Sequence, residues 1–257
     1  MTSPRRTVPP FVQLAAHPLR WQLLTELAGG DLRVRELVTR LGEPQNLVSY
    51  HLRLLRDGGL VTTTRSSHDG RDTYNHLDLD RCADLIAGAG PALHPALRMH
   101  PGAPSIEPQA ASTVLFVCTG NSARSVIAEA LLRHRGEDRV TALSAGTRPK
   151  PALHPDTVRV LRDEFGIDVG ARVPRPLEEL RDQRFDVVIT LCDKARENCP
   201  DFPDHPRHIH WSIPDPAARH RADEDPYPLF LATATEIDTR VRHLLPTLTA
   251  HPKGSAP

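Results

Sequence analysis

The sequence predicts two domains, the first mainly α-helical and the second α/β with a parallel sheet. Three observations support this prediction. The 257 residues suffice for two domains, prolines recur every few positions from 91 to 108, and apolar runs alternate with helical patterns only beyond that stretch. The predicted division is a tail (1–10), a helical domain (11–92), a proline-rich linker (93–111), an α/β domain (112–250) and a second tail (251–257).

The composition is typical of a globular cytoplasmic protein. Hydrophobic residues make up 39% of the chain and charged residues 25%, with 32 cationic and 32 anionic side chains, as in ordinary folded domains. No apolar run approaches the roughly 20 residues of a membrane span, and the first ten residues lack a signal-peptide core. We therefore expect a cytoplasmic protein without membrane contact, whose four cysteines are not a disulfide scaffold.

The first domain is predicted to contain helices followed by a β-hairpin. Pro18 suits the first turn of a helix, and Gly29-Gly30 suits its end. A short apolar pattern around Leu37 predicts a second helix, and Pro44 precedes a third. The predicted elements are helices from 18 to 28, 34 to 38 and 45 to 56, and strands 60–65 and 73–77.

The third helix has two different faces. Its apolar side is predicted to bury Leu47, Val48, Leu52 and Leu55. The opposite side carries hydrogen-bonding side chains of the kind that contact base edges and phosphates. Together with two arginines of the hairpin, the predicted DNA-contacting residues are Gln45, Asn46, Ser49, Tyr50, Arg53, Arg65 and Arg71.

In its order of helix, turn, helix, Gly58-Gly59 and hairpin, this segment resembles the winged helix-turn-helix of the ArsR family of transcriptional repressors. The resemblance implies binding to DNA, transcriptional regulation of arsenic resistance and a homodimer formed through this domain. Arsenite-sensing members carry Cys-Val-Cys where this chain has Arg33-Val34-Arg35. Because arginine cannot bind As(III), the usual sensor site is absent.

The second domain alternates strands and helices, which predicts an α/β fold with a parallel sheet. In its first helix Val126, Ile127, Ala130 and Leu131 share an apolar face, and Glu129 is expected to lie off that face. The predicted elements are strands 113–117, 139–144, 186–191 and 207–211, and helices 125–135, 155–165 and 229–249, the last with interruptions.

A cysteine loop follows the first of these strands directly. Cys118 ends the strand, the loop residues are Thr119, Gly120, Asn121, Ser122 and Ala123, and Arg124 and Ser125 begin the helix. Loop N–H groups and the helix N-terminus then converge on the sulfur, which makes a cradle for a tetrahedral oxyanion. Because the same groups favour the thiolate, we expect Cys118 to be a nucleophile that is ionised near neutral pH.

The stretch from about 114 to about 248 resembles the low-molecular-weight tyrosine phosphatase fold and, within it, the thioredoxin-coupled arsenate reductases. The match is specific because several segments occur in the same order. These segments are Val114 to Ser125, Leu143 to Thr147, Val187 to Cys192, Cys199-Pro200, and His210 to Pro216. The resemblance implies that Cys118 attacks arsenate or phosphate, with no tightly bound cofactor.

Two further cysteines separate reductase from phosphatase chemistry. Parallel strands end at one edge of a sheet, so Cys192, after strand 186–191, is expected beside Cys118. In the resembling reductases Cys192 and Cys199 would form a disulfide that thioredoxin reduces. The segment between them is predicted to be helical, which would separate their Cα atoms by roughly 10 Å. A disulfide needs about 4.4 to 6.8 Å, so this segment must unwind.

Asp215 lies between Pro214 and Pro216, and such a rigid loop suits a general acid. By resemblance Asp215 is the proton donor. Some arsenate reductases hold a potassium ion, and the resemblance places it near Glu129 and Ser144.

Three functions fit these residues. The first is an arsenate reductase fused to a DNA-binding regulator. The second is a tyrosine phosphatase fused to a regulator, in which Cys192 and Cys199 are idle. The third is a transcription factor whose second domain binds oxyanion without catalysis. The sequence favours the first, because spare thiols are what reduction requires.

Overall fold

The computed structural model describes residues 7–66, 72–94, 97, 112–218 and 225–248. These residues fall into two compact units. The first holds the described residues up to Arg65 and from Asp72 to Leu97, and the second holds Ser66 and those from Ser112 to Leu248. The predicted fold class, a mainly helical unit followed by an α/β unit with a parallel sheet, is confirmed.

The first unit is a helical bundle with a small antiparallel sheet in the order β1-β3-β2. Fully buried leucines of three helices (Leu23, Leu37 and Leu52) form its centre. Strands β2 and β3 are the predicted hairpin. The elements are α1 (Pro10–Ala15), α2 (Pro18–Ala28), β1 (Leu32–Arg33), α3 (Val34–Leu41), α4 (Gln45–Asp57), β2 (Val61–Arg65), β3 (Thr73–Leu77) and α5 (Leu79–Leu93).

Three details of this unit differ from the sequence-based expectation. Helix α1 begins at Pro10, inside the predicted tail. Helix α5 continues through Pro91 and ends two residues later, at Leu93, although proline cannot donate the hydrogen bond that a helix interior uses. On α4, Val48, Leu52 and Leu55 are buried as predicted, but Leu47 is 37% exposed. Position 47 precedes the buried stripe by one residue, which in a helix is a rotation of about 100°.

The second unit has a four-stranded parallel sheet in the order β5-β4-β6-β7. Strand β4 lies between β5 and β6, and it is buried from Val114 to Cys118 because helices cover both faces. The elements are β4 (Ser112–Cys118), α6 (Arg124–Gly136), β5 (Val140–Gly146), α7 (Pro155–Phe165), β6 (Val187–Thr190), α8 (Asp193–Glu197), β7 (Arg207–His210) and α9 (Tyr227–Leu248).

The register of the sheet brings three segments together at its carboxyl edge. Cys118 pairs with Gly146 of β5, and Val117 pairs with Thr190 of β6. The loops that follow these strands therefore start at the same level, where parallel sheets bind their ligands. Helix α9 is continuous and includes Pro246, so the predicted interruptions were wrong. None of the helices in the described part of the chain has the length and apolarity that a membrane crossing requires.

Candidate active site

The sulfur of Cys118 lies at the end of β4 among hydrogen-bond donors. The Cys118 side chain is 2% exposed. Ser125 Oγ lies 3.0 Å from Cys118 Sγ, and the backbone N–H of Asn121 donates to the same sulfur at 3.3 Å. Asn121 Nδ2 also donates to Ser125 Oγ at 2.9 Å, which leaves the Ser125 hydroxyl proton for the sulfur. Donors directed at one sulfur stabilise a thiolate, the nucleophilic form of cysteine.

Asn121 holds this loop through its whole side chain. Its Nδ2 donates to Ser144 Oγ at 2.8 Å as well as to Ser125, and its Oδ1 accepts the backbone N–H of Arg175 at 2.7 Å. The residue adopts a left-handed conformation with φ 44°, which asparagine tolerates better than most residues. Asn121 thus connects the cysteine loop to β5, through Ser144, and to the segment that precedes β6, through Arg175.

The carbonyl groups of the cysteine loop are directed away from the sulfur. The N–H groups of Thr147, Arg148 and Lys150 donate to the carbonyls of Cys118, Thr119 and Gly120 at 3.1, 2.8 and 2.8 Å. The Ser122 carbonyl accepts from the backbone N–H of His154 at 3.0 Å and from Thr157 Oγ1 at 2.9 Å. Because these carbonyl oxygens accept hydrogen bonds from residues outside the loop, the loop can present its N–H groups to the space over the sulfur, as an anion site requires.

Arg124 connects the cysteine loop to the loop that carries Asp215. It is the first residue of α6 and is 5% exposed. Its Nη1 donates to the Ile213 carbonyl at 3.0 Å, and its Nη2 lies 3.3 Å from Asp215 Oδ2. Asp215 Oδ1 accepts the Ala217 N–H at 3.2 Å. A planar guanidinium held in this way can bind two oxygens of an oxyanion beside the carboxyl group.

A cavity of about 120 Å³ opens over the sulfur. Its described lining includes the cysteine loop, Arg124 and Asp215, and also Arg148 and Lys150. The last two were not predicted from the sequence. The sequence offered one signal for them, their position directly after the segment Leu143 to Thr147. The hydrogen bonds that bring them to the cysteine loop join main chains about 30 residues apart, and no local sequence pattern predicts such bonds.

Cys192 lies against the cysteine loop. It precedes α8 as its N-cap residue and is 3% exposed. Its Sγ is 3.3 Å from Thr119 Oγ1, and Thr119 is the residue after Cys118. Asp193, the next residue, is held by His210 Nε2 at 3.1 Å. These contacts hold the second thiol against Thr119, the neighbour of Cys118 in the chain.

Cys199 lies beyond the carboxyl end of α8, after Asn198. It is half-buried and packs against the core of the second unit. Burial and the nearby Asp201 carboxylate raise the pKa of the Cys199 thiol to about 11. All four cysteines of the chain are free thiols in this structure. As predicted, the segment between Cys192 and Cys199 contains a short helix, α8.

Glu129 lies in a different environment from the one predicted. The sequence pattern placed it off the apolar face of α6, yet it is 1% exposed, because α6 is covered on almost all sides. Its carboxylate is paired with Arg172 and, at 3.5 Å, with Arg133 Nη1. Guanidinium groups therefore already balance its charge, and Ser144 accepts a hydrogen bond from Asn121 instead. These residues do not fit a potassium ion, and the chemistry below involves none.

All but one of the predicted DNA-contacting residues lie on α4 or at the end of β2. On α4, Gln45, Asn46, Tyr50 and Arg53 are exposed and Ser49 is half-buried. The Arg53 guanidinium carbon lies 5.7 Å from the centre of the Tyr50 ring, as in a cation–π contact. Arg65 is exposed at the end of β2, and Arg71 falls outside the described residues.

Arg33 and Arg35 occupy the positions that are compared above with the arsenite-binding cysteines. Both pair with Asp72, at 2.6 and 2.9 Å, and Arg33 also binds Glu36 at 3.1 Å. They thus fasten the start of α3 to the residue that directly precedes β3. Among the described residues, no cluster of three or more His, Cys, Asp or Glu side chains could hold a metal ion.

Comparison with known proteins gives the two halves different relatives. Residues 17–72 match the family model described as "MarR family". An arsenate reductase of Bacillus licheniformis is 33% identical over 135 residues, which are 52% of this chain and 96% of that protein. An arsenate reductase of Bacillus subtilis is 31% identical over 134 residues, 52% of this chain and 95% of that protein. The match at the N-terminus indicates a helix-turn-helix, and the finer ArsR assignment stays a prediction.

A solved structure of an arsenate reductase from Archaeoglobus fulgidus is also similar, with 32% identity and a TM-score of 0.42 over 52% of this chain and 98% of that one. Residues 113–253, more than half of the chain, match the model described as "Low molecular weight phosphotyrosine protein phosphatase". The matched range contains the cysteine loop, Cys192, Cys199 and Asp215. The chain belongs to the low molecular weight phosphotyrosine protein phosphatase family.

Proposed function

We propose that the second unit is an arsenate reductase and that the first unit is a DNA-binding regulator of arsenic resistance. The observation that carries this proposal is the contact of 3.3 Å between Cys192 Sγ and Thr119 Oγ1. It brings a second thiol to the nucleophile's loop. A phosphatase of this design needs one thiol, because water hydrolyses its cysteinyl phosphate, whereas reduction needs a thiol that attacks the first sulfur.

The proposed reaction begins when the Cys118 thiolate attacks arsenic. A sulfur–arsenic bond forms and one oxygen leaves as water with a proton from Asp215, while the loop N–H groups and Arg124 hold the remaining oxygens. Cys192 then attacks Cys118 Sγ. A Cys118–Cys192 disulfide forms, and the electron pair of the sulfur–arsenic bond stays on arsenic, which leaves as arsenite.

Cys199 completes the reaction. Its thiolate attacks Cys192 Sγ, which forms the Cys192–Cys199 disulfide and releases Cys118 as thiolate. A dithiol protein, for which we propose thioredoxin, reduces that disulfide. Arsenate and two thiols thus become arsenite, water and one disulfide. Because the two Cys residues flank α8, closing the bond requires this helix to unwind.

For the first unit, the MarR-type match supports DNA binding, and we carry ArsR membership as part of the proposal. Homodimer formation is proposed on the same basis, with apolar side chains exposed on α1 and α5 as the dimer surface. These are Val12, Ile86 and Leu93, which are 44%, 37% and 69% exposed. Exposed apolar side chains of this kind typically mark interfaces when they cluster.

The reductase proposal is tested by arsenate-dependent oxidation of NADPH with thioredoxin and thioredoxin reductase. We expect the Cys192→Ser variant to lose at least about 100-fold in arsenate turnover, because the reducing attack is gone, while aryl phosphate hydrolysis stays within about twofold. The Cys199→Ser variant is the matched control. Without thioredoxin it should release about one arsenite per chain, whereas Cys192→Ser releases none.

The other candidate, a phosphatase, gives the opposite pattern. It is favoured by the family match and by the complete cysteine loop, which serves either reaction. If wild-type protein hydrolyses an aryl phosphate rapidly and does not oxidise NADPH with arsenate, the reductase proposal is wrong. Unchanged arsenate turnover in the Cys192→Ser variant would contradict the three-thiol mechanism.

A further inference from the structure

Two cations that the proposed reaction does not use line the cysteine cavity. Arg148 and Lys150 both line it, together with Arg124 and Asp215. Three cationic side chains thus face one carboxylate, and that carboxylate already lies 3.3 Å from Arg124. The excess of positive charge is therefore contributed by Arg148 and Lys150.

The main chain holds both cations in place. The N–H groups of Arg148 and Lys150 donate to the Thr119 and Gly120 carbonyls, each at 2.8 Å. Pro149 between them fixes its own φ, so the segment runs alongside the loop with little freedom. A Cβ atom built on Gly120 would lie 3.1 Å from Lys150 Cγ, which shows that the lysine stem crosses directly over the loop.

We infer that Arg148 and Lys150 determine substrate specificity, selecting small inorganic tetrahedral dianions such as arsenate over phosphate esters with an aromatic group. This inference rests on the proposed function and names residues that select its substrate. Charge attracts the dianion to the cavity. The cavity is also small, about 120 Å³, and two long side chains in its lining leave little room for a bulky leaving group.

The composition of the cavity supports the selection against aromatic esters. Its described lining contains no aromatic ring, and its uncharged side chains, such as Ala123 and Ala217, are short. An aromatic leaving group would gain little burial there and would have to displace hydrated cations. Free arsenate has only a fourth oxygen in place of the ester group, and this oxygen needs no apolar burial.

The decisive variant is Arg148→Gln with Lys150→Gln in the full chain. The first readout is the concentration of phosphate or arsenate that half-protects Cys118 from iodoacetamide, which requires no turnover. We expect this concentration to rise about tenfold and to depend less on salt than in wild type. We also expect the arsenate KM to rise about tenfold with kcat within about twofold, because the cations act on binding.

The ester readout tests selectivity. The kcat/KM for p-nitrophenyl phosphate should fall less than about threefold. The shorter glutamine side chains leave more room in the cavity for the aromatic group, which offsets the lost electrostatic attraction. Two comparisons control these results. The Arg148→Lys, Lys150→Arg variant keeps both charges and should retain protection. The Arg162→Gln, Arg184→Gln variant removes two exposed arginines that pair with Asp163 and Asp204 and should behave as wild type.

Unchanged half-protection in the Arg148, Lys150 variant would overturn the inference, as would an equal loss of efficiency for arsenate and for the ester. The failure of the proposed function looks different. If the wild-type chain reduces no arsenate, the reductase assignment fails, and the protection assay still decides whether the two cations bind the oxyanion.

Discussion

At the scale of single residues, Asn121 shows how one side chain organises the nucleophile. Its amide binds Ser125, Ser144 and the Arg175 main chain, and its own N–H binds the sulfur. The type of residue was visible in the sequence, as was its place in the loop. Its partners were not, because Ser144 and Arg175 lie 23 and 54 residues away in the chain.

A second residue-scale feature predicts a pH dependence. The raised pKa of Cys199, about 11, comes first from burial and then from Asp201. Because the neutral thiol is favoured, little thiolate exists near pH 8, and its amount rises about tenfold per pH unit up to pH 11. If attack by Cys199 limits turnover, arsenate reduction increases over the same range.

The Asp201→Asn variant removes the repulsion and keeps the burial. We expect the pKa of Cys199 to fall by less than about one unit, so that alkylation of Cys199 becomes faster at pH 8. The measurement is the pH profile of Cys199 alkylation by mass spectrometry. Asp204→Asn, in the same loop but paired with Arg184, is the control, and equal profiles for both variants would contradict the role of Asp201.

At the scale of elements, the cysteine loop is shaped by the segment that follows β5. A strand, a polar loop and a helix could be predicted from apolar runs and from the residues around Cys118. The contact between residues 147–150 and the cysteine loop could not be predicted, since it consists of main-chain hydrogen bonds between two loops. The same limit applies to Glu129, whose burial depends on how α9 and Arg172 cover α6, not on the pattern of α6 itself.

Gly146 provides a test of this contact between the two loops. A Cβ atom at this position would lie 2.9 Å from the Thr119 carbonyl oxygen and 3.0 Å from Asn121, so the loop must move. We expect Gly146→Ala to lower kcat about tenfold or more and to lower the free energy of unfolding by about 1–3 kcal/mol. Activity and urea unfolding are measured on the full chain.

Gly170→Ala is the matched substitution for that experiment. Its new Cβ would approach the flexible carboxylate end of Asp168 at 3.2 Å, so that only a side chain has to give way. A Gly146 variant as active and as stable as the Gly170 variant would show that the loop tolerates displacement.

At the scale of the whole molecule, the chain contains two units with separate cores. Their fold class could be predicted because apolar strands alternate with helical patterns only in the second half of the sequence. The order of strands in the parallel sheet was not predicted, since periodicity says which residues are buried but not which strands are neighbours. The Leu47 prediction failed for a related reason, because α4 buries a narrower stripe than its leucines suggest.

This separation predicts that the two activities can be removed independently. In the full chain, Arg53→Gln should weaken binding to a duplex from the region upstream of its own gene, with a shallower dependence on salt. Cys118→Ser should leave that binding unchanged and abolish catalysis. Fluorescence anisotropy and the coupled NADPH assay measure the two effects. Equal DNA affinity of the Arg53 variant and wild type would show that α4 does not contact the duplex.

The covalent connection of the two units fixes their ratio in the cell. Every copy of the chain carries one DNA-binding surface and one cysteine loop, so the stoichiometry of regulator and enzyme is fixed at translation. Under the proposed function, a cell cannot raise its capacity to reduce arsenate without synthesising more regulator at the same time. Under the proposed function, repression that acts on the chain's own gene therefore also limits the number of catalytic centres in the cell.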